Sequence, residues 1–361
     1  MAGKPVDTDP TCDDYFRETD LAGHLDRFET DQYRTPYLKQ SVIRREDDPI
    51  STSVRYWQRR VAADAAQSLD TLAVLLGGPS DTSLPGLADE VDRTAEQPDV
   101  AELDGKLESG LASAVLRLAE RLPRDNTAGQ PGYLLCNPFS FVRRVSLETP
   151  ALAELPEVER PVYAAARSGE RAQVVADVPP MGFVWLQSAS SSGPPKRKDE
   201  PLLTEDTMLR NEFFEVLINP QTGSIQSLLE YQTRGNRLSQ QLAFRGSASE
   251  PGRGGQGDSY TRMVAERVQV TSTSSVFGEI LAEGRLVDRE NQTVAGFRQR
   301  YQLWRGSRVL RIEIELDPKQ EPKSDPWNSY YGCRFAWSDE AAALSRTVNQ
   351  TRQPVESRRF E

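Results

Sequence analysis

The chain has 361 residues, a formal net charge of −10 at pH 7 and a sequence pI near 5.0. This length allows two or three domains that each bury a core, while the acidic charge argues against affinity for nucleic acid or an anionic membrane. No stretch approaches the roughly 20 apolar residues that span a bilayer, and the polar first ten residues do not resemble a secretion signal. Three widely separated cysteines indicate neither a disulfide framework nor a metal site, which favours a reduced, cytoplasmic setting.

Residues 1–50 are polar and irregular, yet they include aromatic side chains that need packing partners. These are Tyr15, Phe16, Phe28, Tyr33 and Tyr37. The composition predicts an extended arm that packs either on the helices that follow or on a further domain.

Residues 51–125 carry apolar residues at steps of three and four, the period of one face of a helix. The first stripe comprises Val54, Trp57, Val61, Ala65, Leu69, Leu72 and Leu76, and the second comprises Val100, Leu103, Leu107, Leu111, Val115, Leu118 and Leu122. Leu84, Leu87 and Val91 indicate a shorter helix between them. The pattern predicts a small intramolecular bundle; a coiled-coil dimer is the alternative, although the repeat lasts only about three heptads.

From residue 131 the apolar period changes to two, which is typical of strands. Residues 131–187 are predicted to form a small β segment, residues 188–201 (SASSSGPPKRKDEP) a flexible linker, and residues 202–361 a larger β region. Strands are expected at 268–270, 276–287, 294–303 and 309–316, the last with apolar and charged residues alternating. The predicted fold class is α+β and multidomain, with a helical bundle followed by an antiparallel β-sandwich.

One stretch, residues 209–244, predicts the hairpin that opens this larger β region. Phe214, Val216 and Ile218 alternate with other residues as in a half-buried strand. The turn Asn219-Pro220-Gln221-Thr222-Gly223 then reverses the chain, since proline presets φ and glycine accepts positive φ. A second short strand is expected from residue 224 to 229.

This hairpin, followed by Gly235-Asn236-Arg237-Leu238-Ser239-Gln240-Gln241-Leu242, resembles the start of the large C-terminal β-sandwich of the α-mannosidases of glycoside hydrolase family 38. Asn137-Pro138-Phe139-Ser140 is similar to a signature that follows the helical middle domain of that family, and the segment 178–183 is similar to one that closes its first small sheet. The resemblance implies a helical middle domain and part of a galactose-mutarotase-like supersandwich. We expect the sandwich to be truncated at its C-terminal end and the catalytic domain to be missing.

The resemblance also implies a retaining α-mannosidase whose N-terminal domain holds zinc through two histidines and two aspartates, one of them the nucleophile. This sequence has a single histidine, His24, so that zinc site cannot be assembled from it. His24 with Asp26 would make a poor metal cage. We therefore expect no catalytic residue and no metal site in this chain, with the family's zinc in a catalytic domain or on a separate partner chain.

Aromatic rings that stack on sugar faces, flanked by side chains that hydrogen bond to hydroxyls, are typical of carbohydrate-binding surfaces. Two stretches supply such residues: the first contains Trp327, Asn328, Tyr330, Tyr331 and Arg334, and the second contains Asp258, Tyr260 and Arg262. Core packing is the competing role for most of these aromatic residues. The Gly-rich run at 251–257 lacks the ending of a phosphate-binding loop and is predicted to be an exposed loop.

Three functional hypotheses follow from the sequence. The chain is a non-catalytic portion of an α-mannosidase-like enzyme that supports the catalytic domain and contacts a mannose-containing glycan. Alternatively, it is a stand-alone carbohydrate-binding β-sandwich protein. A purely structural or assembly protein is the third hypothesis, and it predicts no binding to sugar.

Overall fold

The structure is a computed structural model. It describes residues 40–41, 43–45, 51–95, 97, 100–122, 132–150, 152, 154–187, 201–232, 235–246, 260–323, 326, 329–337, 345–348 and 351–354. The chain divides into two compact units, Pro36–Asp339 and the combination of Met1–Thr35 with Glu340–Glu361. Several predictions concern residues outside the described ranges: the five aromatic residues of the arm, His24, the linker at 188–200, the Gly-rich run, and the candidates Asp258, Trp327 and Asn328.

Three helices form the predicted bundle, and their existence is confirmed. They are α1 (Ser51–Leu75), α2 (Leu84–Arg93) and α3 (Ala101–Arg121). The second predicted stripe is confirmed on α3, where Leu103, Leu107 and Leu118 are buried in the core between the helices. None of the helices in the described part of the chain has the length and apolar character needed to span a bilayer.

The predicted stripe on α1 is wrong over its first half, whereas its later members Leu69 and Leu72 pack in the core. Val54 is 56% exposed, Trp57 42% and Val61 54%, and Leu76 just beyond the helix is 51% exposed. The face that α1 buries is instead made largely of small residues, namely Ala63, Ala66 and Ala73, together with Leu69. Small side chains let two helices approach closely, so the largest apolar residues of α1 do not mark its buried face.

Two ion pairs also fix which face of α1 meets α3. The buried Arg59 guanidinium donates to both carboxylate oxygens of Asp104, at 2.6 and 2.9 Å, and it holds the pKa of Asp104 below its usual range. Asp70, buried on the same helix, pairs with Arg117 at 3.0 Å. Burying either charge without its partner would be costly, so these pairs favour one orientation of the helix.

Strands occupy most of the rest of the described chain. Their bounds are β1 (Gly132–Asn137), β2 (Arg143–Thr149), β3 (Val162–Ser168), β4 (Arg171–Val178), β5 (Gly182–Gln187), β6 (Thr204–Glu205), β7 (Met208–Arg210), β8 (Phe214–Ile218), β9 (Ile225–Glu230), β10 (Asn236–Arg245), β11 (Arg262–Thr273), β12 (Phe277–Val287), β13 (Thr293–Trp304), β14 (Leu310–Pro318), β15 (Tyr330–Ala336), β16 (Ser345–Val348) and β17 (Thr351–Pro354). The predicted hairpin and the four later predicted strands are confirmed. Strands β3 and β4 were not predicted from the sequence.

The strands form five antiparallel sheets. The large sheet has the order β15-β10-β9-β8-β7-β6, and the charged sheet has the order β11-β12-β13-β14. The small sheet has the order β2-β4-β3, and β1-β5 and β16-β17 are two-stranded. The unit Pro36–Asp339 contains all of these except β16-β17.

The large and charged sheets pack face to face, which confirms the α+β class and the sandwich character of the larger β region. Val216, Ile218 and Ile225 of the large sheet share a core with Ile280 and Leu303 of the charged sheet. Strand β14 alternates as predicted, with partly buried Leu310, Ile312, Ile314 and Leu316 against exposed Arg311, Glu313 and Glu315. The outer face of the charged sheet therefore carries charge, and its inner face is apolar.

The turn Asn219–Gly223 connects β8 to β9 within the large sheet and also contacts the charged sheet. The Asn219 side chain accepts hydrogen bonds from the backbone N–H groups of Gln221 (2.8 Å) and Thr222 (3.2 Å), and Gly223 takes a φ of +74°. The backbone N–H of Ala265, in the charged sheet, donates to the Gln221 carbonyl at 2.8 Å. The sequence-predicted turn is therefore also a contact between the sheets.

A group of buried polar side chains continues this contact. The Tyr301 hydroxyl donates to the Gly223 carbonyl at 2.7 Å, and the Gln240 amide donates to Gln299 at 2.9 Å. Tyr301 and Gln299 are fully buried, and Gln240 is 1% exposed; burial raises the pKa of Tyr301 far above its usual range. A buried polar atom without a partner costs about 1–3 kcal/mol, so these bonds favour one alignment of the two sheets.

Arg144 adds a polar contact between the small sheet and the sandwich, which also share a buried apolar core. Its guanidinium donates to both oxygens of Asp177 (2.7 and 2.9 Å), lies 3.7 Å from the Tyr163 ring centroid and donates to the Gly306 carbonyl at 3.3 Å. The Tyr163 hydroxyl in turn donates to Glu212 at 2.7 Å. One arginine therefore links strands of the small sheet to a turn of the charged sheet.

We predict that Gly223→Ala destabilises the chain more than Gly169→Ala. Both glycines have positive φ, so each variant bears the left-handed backbone cost of about 1–2 kcal/mol. Only at Gly223 would the new Cβ meet a packed neighbour, the Ala282 Cβ at 3.0 Å, whereas nothing lies within 4 Å of it at Gly169. Overpacking adds about 1–3 kcal/mol. Urea unfolding of both variants measures the difference, and equal losses would contradict the role of this turn between the sheets.

We predict that the stabilisation by the Arg144–Asp177 pair is lost in acid. Hydrogen bonds from Arg144 hold the pKa of Asp177 below its usual range, so the pair stabilises the fold above the unfolded pKa and stops doing so as pH falls through the folded pKa. Because the Asp177 side chain is 39% exposed, Asp177→Asn should cost only about 0.5–1 kcal/mol at neutral pH and almost nothing once the pH is below the folded pKa of Asp177. Unfolding free energies across pH test this. Arg144→Gln should show the same pH-dependent part, added to a constant loss from its contacts with the Tyr163 ring and the Gly306 carbonyl. A cost that does not change with pH would exclude the pair as its origin.

Candidate functional site

Three residues on neighbouring strands form a row at one end of the large sheet. Arg245, the last residue of β10, is paired with Tyr330 of β15 on one side and with Tyr260 on the other. The backbone N–H of Thr261 donates to the Phe244 carbonyl at 3.0 Å, which holds the returning chain beside β10. Directly paired residues of antiparallel strands point to the same face, so Tyr260, Arg245 and Tyr330 share the outer face of the large sheet.

The side chains of this row contact one another. The hydroxyl oxygens of Tyr260 and Tyr330 are 3.2 Å apart and share a hydrogen bond. The Arg245 guanidinium lies 5.6 Å from the Tyr260 ring centroid and 5.9 Å from that of Tyr330. Arg334, further along β15, places its guanidinium 4.1 Å from the Tyr260 ring centroid. We call Arg245, Tyr260, Tyr330 and Arg334 the ring–guanidinium cluster.

Small residues lie beside the Tyr330 ring. Ala243 of β10 is paired with Gly332 of β15, and both occupy the same face as Tyr330 because side chains alternate along a strand. A Cβ added to Gly332 would lie 3.1 Å from the Tyr330 ring, so the ring packs close to the Gly332 backbone. The tyrosine is therefore held near the sheet surface, which limits the number of orientations its ring can adopt.

The chemistry of the cluster suits a hydroxylated ligand. Partly exposed tyrosine rings present apolar faces against which the C–H groups of a sugar ring can stack. Their hydroxyl groups both donate and accept hydrogen bonds, and arginine contributes several N–H donors in a planar fork. The described residues of this cluster therefore combine an apolar platform with directional polar groups.

The structure separates two of the sequence candidates from this cluster. Tyr331 points to the inner face, where its ring centroid lies 4.6 Å from that of Phe244 and its hydroxyl donates to the Gln320 carbonyl at 2.6 Å; burial raises its pKa. Arg262 donates to the Asn291 side chain in the turn between β12 and β13. Of the predicted candidates in the described ranges, Tyr260, Tyr330 and Arg334 are brought together.

Arg245 was missed by sequence reasoning. It lies between Phe244 and Gly246 with no periodic or motif signal around it, and it joins the cluster only through its pairing with both tyrosines. A signal would have required the strand register, which depends on how β10 aligns with strands far away in the sequence.

A second concave surface lies where β8 begins and β9 ends, at the far end of this hairpin from the turn Asn219–Gly223. Glu215, Leu229, Glu230 and Tyr231 line an open cleft of 330 Å³. Burial, followed by the negative charge of Glu215, raises the pKa of Tyr231. Carboxylates beside a tyrosine ring can also accept hydrogen bonds from hydroxyl groups, but this cleft has no aromatic pair and no arginine stacked on its ring among the residues that the structure describes.

No grouping of three or more His, Cys, Asp or Glu side chains suited to a metal ion is found within the described ranges. The zinc that the family resemblance implies therefore has no fitting set of ligands among these residues. No protein-family model matches the sequence, and no curated protein matches it either. Function is therefore inferred from the geometry of the described residues and from the sequence motifs.

Proposed function

We propose that this chain is a non-catalytic helical and β-sandwich portion of an α-mannosidase-like glycoside hydrolase of family 38, and that it contacts carbohydrate. The observation that carries the proposal is the ring–guanidinium cluster, in which Tyr260, Tyr330 and Arg334 converge although Tyr260 is distant in sequence from the other two. The proposed ligand is a mannose-containing glycan.

The order of elements supports this proposal. A helical bundle is followed by a small sheet and then by a two-sheet sandwich, which is the order that the family resemblance implies. Two of the resembling motifs also have local structural roles. Asn137 donates from its side-chain amide to the carbonyls of Phe141 (2.7 Å) and Pro179 (2.9 Å), and the turn Asn219–Gly223 contacts the charged sheet. We propose that the sandwich belongs to the galactose-mutarotase-like supersandwich type.

Catalysis, in this proposal, belongs to a catalytic domain or to a separate chain that carries it. A retaining mannosidase of the family uses two histidines to hold its zinc, and these 361 residues contain one. The bundle and sandwich would support that domain, while the outer face of the large sheet would contact part of the glycan. The proposed setting is cytoplasmic, in keeping with free Cys136 and Cys333.

A stand-alone carbohydrate-binding protein is the alternative, because every member of the ring–guanidinium cluster comes from this one chain. The two proposals differ in their partner. The portion of an enzyme should form a stable complex with a family 38 catalytic domain supplied as a second polypeptide, as measured by light scattering. A stand-alone module should bind glycan equally well and form no such complex.

We predict that Tyr330→Ala weakens binding of an α-mannosyl oligosaccharide about tenfold, because it removes a stacking ring and a hydroxyl. Titration calorimetry measures the change. Tyr231→Ala is the matched control, since Tyr231 is also an exposed tyrosine of the sandwich but lies outside the cluster. Equal effects of the two substitutions would contradict the assignment of the surface. No carbohydrate binding by the unaltered chain would instead favour the structural or assembly protein.

We predict that the chain alone does not hydrolyse an aryl α-mannoside, even with zinc added, because the residues for the family's zinc site are lacking in its sequence. Release of the aryl group is followed against a buffer blank and against the same sample with a chelator. Turnover above the blank that disappears on chelation would refute the non-catalytic assignment.

A further inference from the structure

The ring–guanidinium cluster brings two arginines to one aromatic ring, on a chain whose net charge is −10. Arg245 and Arg334 approach the same Tyr260 ring, at 5.6 and 4.1 Å from its centroid. The two guanidinium groups therefore lie within about 10 Å of each other, about one screening length at 0.1 M salt.

The Arg334 guanidinium has no carboxylate within ion-pair distance in the described part of the chain. Its one close contact there is the Tyr260 ring, and the residue is exposed. On the outer face of the charged sheet, by contrast, Arg298 pairs with Glu283 at 2.9 Å and with Glu315 at 3.5 Å, and Arg285 pairs with Glu266 at 2.8 Å. Among the described residues, no acidic side chain neutralises the charge at Arg334.

Stacking also prepares this arginine for an anion. A guanidinium that lies over an aromatic ring uses its planar face, so its N–H edges stay available to donate. Those edges match the spacing of two oxygens of a carboxylate or a phosphate, and such charge-assisted pairs are about twice as strong as neutral hydrogen bonds. The Tyr260 ring limits the directions in which the fork can point, which reduces the entropy lost on binding.

We propose that the ring–guanidinium cluster takes an anionic sugar, a monosaccharide unit that bears a carboxylate or a phosphate group. The inference rests on the proposed carbohydrate function and deepens it by naming the ligand class. Arg334 binds the anionic group with its fork, and the tyrosines contact the sugar ring and its hydroxyls.

Four probes test the proposal by titration calorimetry: mannose, mannose 6-phosphate, glucuronic acid and inorganic phosphate. We expect at least one anionic sugar to bind about tenfold or more tightly than mannose, and more tightly than inorganic phosphate, with an affinity that falls as salt is raised. Comparing the two anionic sugars identifies whether the charged group is a phosphate or a carboxylate.

Substitution of Arg334 provides the second part of the test. Arg334→Gln should weaken binding of the anionic sugar about tenfold and change mannose binding by less than about twofold, and Arg334→Lys should retain part of the affinity because it keeps the charge without the fork. Arg308→Gln is the matched control, since Arg308 is an exposed arginine over a single ring, that of Phe213, at 4.4 Å. It should leave all affinities unchanged. Circular dichroism confirms that each variant is folded.

The outcomes separate the further inference from the proposed function. Mannose binding as tight as that of the anionic sugars, or an equal loss of both in Arg334→Gln, overturns the anionic-sugar proposal and leaves the carbohydrate function in place. Inorganic phosphate binding as tightly as the tighter of the two anionic sugars overturns it as well, because the sugar ring would then contribute nothing. No binding of mannose or of either anionic sugar overturns both proposals.

Discussion

The hydrogen bond from the buried Tyr301 hydroxyl to the Gly223 carbonyl oxygen, 2.7 Å long, holds the two sheets of the sandwich in one alignment. Gln240 extends this contact, since its amide donates to Gln299 across the same interface. Gln240 and Arg245 belong to the same strand, and β10 pairs with β15 along its length, with Gln240 opposite Phe335 and Arg245 opposite Tyr330. The strand that contacts the charged sheet through Gln240 therefore also carries Arg245, which its pairing with β15 places opposite Tyr330 on the outer face.

The outer face of the large sheet differs in chemistry from that of the charged sheet. Across β12, β13 and β14, arginines and glutamates alternate and neutralise each other, as in the contact between Arg298 and Glu283. Such exposed pairs contribute little to stability and leave no net charge for a ligand. Beside the end of β10, Arg334 lies over the Tyr260 ring with no carboxylate at ion-pair distance among the described residues, and Gly332 leaves room for the Tyr330 ring. The asymmetry between the two faces is the physical basis for assigning recognition to the large sheet.

Apolar periodicity and turn residues predicted many of the helices and strands, whereas the grouping of side chains at the candidate site depends on pairing between strands that are distant in sequence. The alternation of Leu310, Ile312 and Ile314 along β14 and the Asn219–Gly223 turn were correct because both depend on neighbours in sequence. The first half of the stripe on α1 was wrong because the buried face there relies on alanines and on Arg59, which pairs with Asp104 on another helix. Tyr260 and Tyr330 were predicted as candidates by residue type, but their separation from Tyr331 follows from alternation along β15, which required the strand register. Arg245 carried no local signal at all.

Mapping of backbone amide chemical shifts during titration with a mannose-containing oligosaccharide, and with its phosphorylated or carboxylated counterpart, tests the account most directly. The predicted result is a set of shifts confined to the C-terminal end of β10, the N-terminal end of β15 and the start of β11. Arg245, Tyr330 and Gly332 should be among the residues that shift. The anionic ligand should shift Arg334 as well. Shifts centred on the outer face of β12 to β14, or the absence of any shift at saturating sugar, would contradict the assignment of the large sheet as the carbohydrate-contacting face.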